Sequence, residues 1–256
     1  MTQKRQKISE NTILVRSLAL SLLSQHHIDV HAHEWPQLIY ATDGVMTVDT
    51  PTGSWVVPPQ RAAWIPADFA HTIRTTGLVN MRTLYFRPDV TTHLPTSCAA
   101  ISVTPLLKEL VLEIIRRGML LDIHAQDDRL VRVILDQLSN THEEPLRIVF
   151  PSDSRAKRVA ETAKHDLAAN RPLIDLAQGT GASVRTIERL FLRETGLTFG
   201  KWLRRLRVLH ALERLASGDS VAAAGLSVGY ASTSAFIAMF KSAFGITPGS
   251  YIATLS

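Results

Sequence analysis

Ser183 opens a stretch in which Val184, Ile187, Leu190 and Phe191 fall on one side of a helix, while Arg185, Thr186, Glu188, Arg189 and Arg193 fall on the other. Two arginines and a polar set at the start of an exposed helix suit reading of a DNA major groove, because one guanidinium can donate to both O6 and N7 of guanine. The same pattern also suits a plain solvated face. The tight turn Gly179, Thr180, Gly181, Ala182 just before it, with Ser183 placed to cap the helix, favours the first reading. A second set of chemical interest lies far upstream. His31 and His33 are spaced to put both imidazoles on one face of a strand, Gln37 shares their parity, and His71 arrives later, after Pro66.

The elements that must hold the first set are helical. Ser152, Asp153 or Ser154 can cap a helix running to about residue 169, Pro172 suits the first turn of a short helix, and Gly196 ends the one begun at Ser183. A longer helix over residues 199–216 follows, with Trp202, Leu203, Leu206, Leu209 and Leu212 on its packed side. It carries Lys201 and Arg204, candidates with Lys241 for phosphate contacts. After Gly218 come a short helix over residues 220–228 and then, from Ser232 or Thr233, a helix with Phe236, Met239, Phe240 and Phe244 at three- and four-residue spacing. Its outward positions, Thr233, Ser234, Ala235, Ile237 and Ala238, offer few hydrogen bonds. They suit contact with thymine methyls or DNA shape. The unit of short helix, turn and exposed helix thus occurs twice, with a long helix between.

The elements around the histidines are strands. Short β-prone runs at residues 37–41, 45–49, 54–57, 62–65 and 81–86 are separated by turn residues such as Asp43, Gly44, Pro51 and Gly53. They predict a small antiparallel β domain, a sandwich or barrel. From Pro105 the period becomes helical. Leu107, Leu110, Val111, Ile114 and Ile115 form one stripe, and Leu130, Val133, Ile134 and Leu138 another, predicting an antiparallel helix pair covered by the barrel or by a second copy of the chain; we favour a dimer contact. The region from Thr141 to Asp153, with Pro145 and Pro151, is the linker candidate. The fold class is therefore α+β. The domains are 1–95, the small β domain; 96–151, the helix pair and linker; and 152–256, an all-α domain.

Charge follows this division. Residues 155–256 carry 14 lysines and arginines against 7 acidic residues, while residues 1–154 carry 14 against 16, so the basic part is the one with the exposed helices. Cys98 is the only cysteine, which excludes an intrachain disulfide. Lys4, Arg5 and Lys7 ahead of an apolar run faintly mimic a signal peptide, but Arg16 interrupts that run. No other apolar run approaches the ~20 residues of a membrane span. The expectation is a cytoplasmic protein with no membrane partner.

His31, His33 and Gln37 followed by Gly44, together with Pro66 and His71, resemble the two motifs of the cupin barrel over roughly residues 25–90. The departures are Gln37 where a metal cupin usually has Glu, Asp68 where Gly is usual, and no Gly ahead of His31. The resemblance implies that His31, His33, Gln37 and His71 converge and can hold a divalent transition metal, which neutral imidazoles suit. The loss of the Glu charge weakens that site. The alternatives are a pocket that hydrogen-bonds a small effector, or core histidines that satisfy one another. Trp35, Trp55 and Trp64 are candidate walls, Trp64 being placed with the histidines in the effector or metal pocket.

Residues 172–251 resemble the DNA-binding domain of the AraC/XylS family of bacterial regulators. The matching residues are Leu176, Ala177, Ser183, Arg185, Thr186, Ile187, Arg189, Leu190, Phe191, Glu194, Gly196, Arg207, Gly229, Tyr230, Ser234, Phe236, Phe240, Lys241, Gly245, Thr247, Pro248 and Tyr251. Ala224 and Gly225 stand where the family usually has Ile and Ala, which predicts a weaker second short helix. The resemblance implies a transcription regulator binding double-stranded promoter DNA, answering to a small-molecule effector held in a cupin-like sensor, and acting as a homodimer. The residues from Ser234 to Phe240, with the His31–Gln37 motif, are similar to a subgroup that acts on a neighbouring export gene. Two rivals stand beside it. One is a metal-dependent cupin enzyme with an accessory helical domain, for which no catalytic residue can be assigned. The other is a constitutive nucleoid-binding protein.

Overall fold

The computed structural model describes residues 9–51, 53–59, 61–139 and 147–253. In the N-terminal half β1 (Ile13–Leu22), β2 (His27–His31), β3 (Gln37–Ala41), β4 (Val45–Thr50), β5 (Gly53–Val57), β6 (Arg61–Ile65), β7 (His71–Thr76), β8 (Val79–Phe86) and β9 (Ala99–Ser102) lead into α1 (Pro105–Arg117), β10 (Met119–Leu121), α2 (Ala125–Ser139) and β11 (Arg147–Ile148). The strands form two antiparallel sheets, ordered β10-β1-β8-β3-β6-β9 and β11-β5-β4-β7-β2. No strand pairing joins the sheets among the described residues, so they stand as two open sheets and not a closed ring.

The pleat explains which faces meet. Along β3, Ile39 and Ala41 pack toward the second sheet, while Leu38 and Tyr40 join a separate core with α1 and α2. Leu107, Val111 and Ile114 of α1 and Val131, Ile134, Leu135 and Leu138 of α2 are buried in that core. Most of the apolar stripes read as a dimer contact therefore pack within the chain, on the six-stranded sheet. Val133 stays half exposed.

The rest of the chain is helical: α3 (Ser154–His165), α4 (Leu173–Ala177), α5 (Val184–Thr195), α6 (Phe199–Ala216), α7 (Val221–Ser227), α8 (Thr233–Phe244) and α9 (Pro248–Ala253). Side-chain caps fix the starts. Asp153, Ser183, Thr198, Ser220 and Ser232 each accept a hydrogen bond from a backbone N–H in the first turn of the helix that follows. Gly196 and Gly245 end α5 and α8 in the left-handed conformation. The pairs α4–α5 and α7–α8 repeat one shape on either side of α6. Phe191, Phe199 and Trp202 pack the first unit, and Phe236, Phe240, Phe244 and Tyr251 the second.

The linker read over residues 141–153 lies partly outside the described residues. Its described part is not loose: β11 extends the second sheet beside β5, and the indole N–H of Trp202 on α6 donates to the Val149 carbonyl at 2.8 Å. On the outer face of that sheet Thr47 donates to Glu213 of α6 at 2.6 Å. One buried core runs from the space between the sheets through Ile148 into the helices.

Candidate nucleic-acid interface and histidine pocket

The α5 face forms because Ile187, Leu190 and Phe191 are buried and leave the intervening positions outside. Ser183 accepts from the Thr186 backbone N–H at 3.2 Å, fixing the start of the helix. Ser183, Arg185, Thr186, Glu188, Arg189, Leu192 and Thr198 line one concave surface of about 550 Å³. Arg185, Glu188 and Arg189 are exposed. The structure thus brings together the α5 residues read as base contacts. On α8, Thr233, Ser234, Ala235 and Ala238 are exposed, while Ile237 is half-buried. Lys201, Arg204 and Lys241 are exposed, and Lys201 and Arg204 line a groove of about 510 Å³ between α6 and α8 with Tyr230, Ala235 and Met239.

Two residues of the family-like set have structural work. Glu194, near the end of α5, accepts from the backbone N–H groups of Ser152 and Asp153 at 2.8 and 3.0 Å and from Arg193 at 2.6 Å. The Asp153 N–H above all, then Arg193, hold its carboxyl down at about 2. Arg207 of α6 donates to Asn170 at 2.6 Å and lies over the Tyr230 ring, so it ties the turn before α8 to the long helix.

The histidines do converge, though not by the period-two route. His31 ends β2 opposite His71 on β7, whereas His33 comes from the connection after β2. Their ring centroids are 4.2 Å apart for His31–His71, 5.2 Å for His33–His71 and 6.1 Å for His31–His33. One nitrogen from each ring lies within 4.8 Å of the others. Burial pushes the His71 imidazole down to about 4 against the pull of the Phe69 carbonyl, and His31 and His33 add to the lowering.

Gln37 is close but engaged elsewhere. Its carbonyl oxygen meets His33 Nε2 at 2.8 Å, and its amide donates to Thr83 at 2.8 Å and to Tyr85 at 2.9 Å. Each polar atom of the Gln37 amide thus has a protein partner. The placing of Trp64 in the pocket is corrected. The β3–β6 register sets Gln37 beside Ile65 and Leu38 beside Trp64, so Trp64 faces the opposite side of the sheet. There it packs on Phe86 and donates to the Pro95 carbonyl at 2.9 Å. Trp55 is core as well.

Trp35 does line the pocket, an opening of about 560 Å³ shared by Glu10, Arg16, Ser17, His31, His33, Glu34 and Tyr85. Arg16 lies over the Trp35 ring at 4.5 Å and pairs with Glu10 at 2.8 Å. Glu10, Arg16 and Tyr85 were not read from sequence. They reach the pocket because β1 and β3 both pair with β8, a non-local arrangement that no spacing within the chain announces.

Two family descriptions fit the chain: AraC-like ligand binding domain over residues 21–144 and helix-turn-helix domain over residues 176–254. The chain is 34% identical over 227 residues to the HTH-type transcriptional regulator NimR of Escherichia coli (strain K12), covering 89% of this chain and 83% of that protein. It is 33% identical over 102 residues to the HTH-type transcriptional regulator RipA of Corynebacterium glutamicum, covering 40% of this chain and 31% of RipA. Among solved structures, unsaturated fatty acid-bound ToxT from Vibrio cholerae aligns over 98% of both chains at 11% identity, with a TM-score of 0.41.

Proposed function

Since the chain belongs to the AraC family of transcriptional regulators, with a ligand-binding domain ahead of a DNA-binding one, we propose that residues 152–256 read an operator with α5 as the discriminating helix and α8 as the anchoring one. The observation that carries this is the α5 surface, where Ser183, Arg185, Thr186, Glu188 and Arg189 present donors and acceptors on one outward face. Thr233, Ser234, Ala235, Ile237 and Ala238 of α8 contribute methyl contacts and shape. Lys201, Arg204 and Lys241 hold phosphates, which position the protein without specifying sequence. With α6 setting the spacing, the two units enter successive major-groove turns about 34 Å apart on one DNA face.

Residues 1–95 form the sensor in this reading, a cupin-like pair of antiparallel sheets in which the pocket beside His31, His33 and His71 takes the effector, with Gln37 behind it. Residues 96–151 support a homodimer, for which Leu106, Met119, Ile123 and Val133 remain as exposed apolar side chains. The site of action is the cytoplasm. No helix among the described residues is long and apolar enough to cross a membrane. The target is a promoter next to the gene itself, in keeping with control of a neighbouring transporter.

Footprinting tests the reading. On the flanking promoter regions each chain should protect two patches one helical turn apart on the same face, altered by the effector. Uniform, salt-sensitive protection with no preferred site would replace it with the nucleoid-protein reading.

A further inference from the structure

We propose that His31 Nε2, His33 Nδ1 and His71 Nε2 form a three-histidine site for one divalent transition-metal ion, with Gln37 outside the ligand set as the residue that orients His33. The hydrogen bonds determine which nitrogen of each ring is free. His31 Nδ1 faces the Asp29 carbonyl at 2.8 Å, and His71 Nδ1 faces the Phe69 carbonyl at 2.9 Å. A ring nitrogen against a carbonyl oxygen carries the proton, so in both rings Nε2 keeps its lone pair.

His33 needs one more step. Thr83 spends its hydroxyl proton on the Leu38 carbonyl at 3.0 Å, so it accepts from Gln37 and fixes which end of the amide is NH2. The amide oxygen then faces His33 Nε2, which must carry the proton, and Nδ1 keeps the lone pair. All three rings are thus held with one N–H on an oxygen and one lone pair left over, the arrangement that outer partners impose on metal-bound histidines.

The leftover nitrogens are the ones without partners. His33 Nδ1 and His71 Nε2 are both buried with no hydrogen bond, and His71 is 1% exposed. A buried polar atom left unpaired is destabilising, a penalty that an ion removes. One nitrogen of each ring lies within 4.8 Å of the others, so small ring movements bring three donors onto one ion at ~2.1 Å.

Neutral imidazoles leave the ion's double charge uncompensated, and His31 and His33 also line the pocket beside Trp35 and Tyr85. The open coordination position therefore faces the pocket and favours an anionic donor atom on an effector with an aromatic part for Trp35. Only this last role rests on the reading of the pocket as the effector site. Ion binding stands apart from it.

The test titrates chelator-treated full-length protein with Co2+. One equivalent per chain should bind with visible d–d absorption of nitrogen ligation, and Zn2+ should displace it. His33→Ala and His71→Ala should each abolish uptake, with far-UV circular dichroism confirming the fold, and His31→Ala, at the half-exposed edge, serves if His71→Ala does not fold. Gln37→Leu should keep one equivalent and the same bands with 10- to 100-fold weaker affinity. No stoichiometric uptake by folded wild-type protein, or uptake that survives the histidine substitutions, overturns the site. Bands moved by Gln37→Leu would put Gln37 in the ligand set and overturn its role. The same preparations are assayed for shifting promoter DNA, so that metal-free protein that still shifts it leaves the regulator reading intact while the metal site fails.

Discussion

Arg189 and Lys201 are both exposed cations of the basic half, yet removing them has different expected signatures. A guanidinium bonded to guanine specifies, so Arg189→Ala should weaken operator binding by ~1–3 kcal/mol and relax preference at one base position. An ammonium on a phosphate only positions, so Lys201→Ala should weaken all sequences alike and lower the salt slope by about 1. Competition binding against a set of single-base operator variants separates the two, and equal profiles for the two proteins refute the assignment. Glu194 supports the fold by its charge. Its carboxyl is held at about 2 in the folded chain against 4.5 as a free side chain, so the stabilisation is complete above pH 4.5 and is lost as pH falls toward 2. Glu194→Gln keeps an acceptor without the charge, and we expect it to lower stability by ~1 kcal/mol at pH 7. Urea unfolding at pH 7 and pH 3 checks this: the deficit should shrink at the lower pH, and a constant deficit rules out the charge.

Gly225 shows how an element's propensity and its packing pull in opposite directions. A glycine inside α7 costs ~1 kcal/mol relative to alanine, which is why a weaker short helix was expected there. A Cβ at this position would meet the Phe236 ring at 3.0–3.2 Å, and Phe236 is fully buried between Tyr230 and Phe240. Overpacking a fixed neighbour costs ~1–3 kcal/mol, more than the helix gains. Gly225→Ala should therefore destabilise the protein, by up to ~2 kcal/mol once the propensity gain is set against the clash, and a raised midpoint in urea would show that Phe236 yields. The helices of this half were legible because their signals are local: Ser183 and Ser220 cap, Gly196 and Gly245 stop, and the apolar period fixes the buried side. Several strands were not, β1 and β7 among them. In β1 the first three residues, Ile13, Leu14 and Val15, are all buried, so the alternation that marks a strand is absent where it begins. In β7 the buried positions include His71 and Thr75, and a polar strand hides among polar residues. Trp64 was misplaced for a related reason, since its face depends on a register set by partner strands.

At the scale of the whole chain, a boundary near residue 151 suggests two bodies on a tether, but the seam is built like an interior. The core that fills the space between the sheets continues through Ile148 to Trp202, Leu206 and Leu209 of α6. Across it Thr47 donates to Glu213, Arg205 reaches the Arg147 carbonyl, and Gly77 lies so close to the Ala216 carbonyl that a Cβ would crowd it at 3.1 Å. The seam also sits between the two surfaces of interest. His71 and Arg74 share β7, Arg74 is the register partner of Thr47 on β4, and Thr47 holds α6, the helix on which both helix-turn-helix units are mounted. A continuous packed route therefore joins β7, which carries His71, to α6 and the helices mounted on it. Thr47→Val removes the hydroxyl at constant shape, and Glu213→Gln removes the charge it serves. Because the two groups touch, their effects on stability should be coupled by ~0.5–3 kcal/mol in a double-mutant cycle, whereas independent sites add. With the core continuous, secondary structure and tryptophan environment should melt together in the parent chain. In the double variant the same seam defect should also change operator affinity, although neither residue is among the proposed DNA contacts. Additive stabilities with unchanged operator affinity would reduce Thr47 and Glu213 to a local surface contact and leave the sensor without this connection to α6.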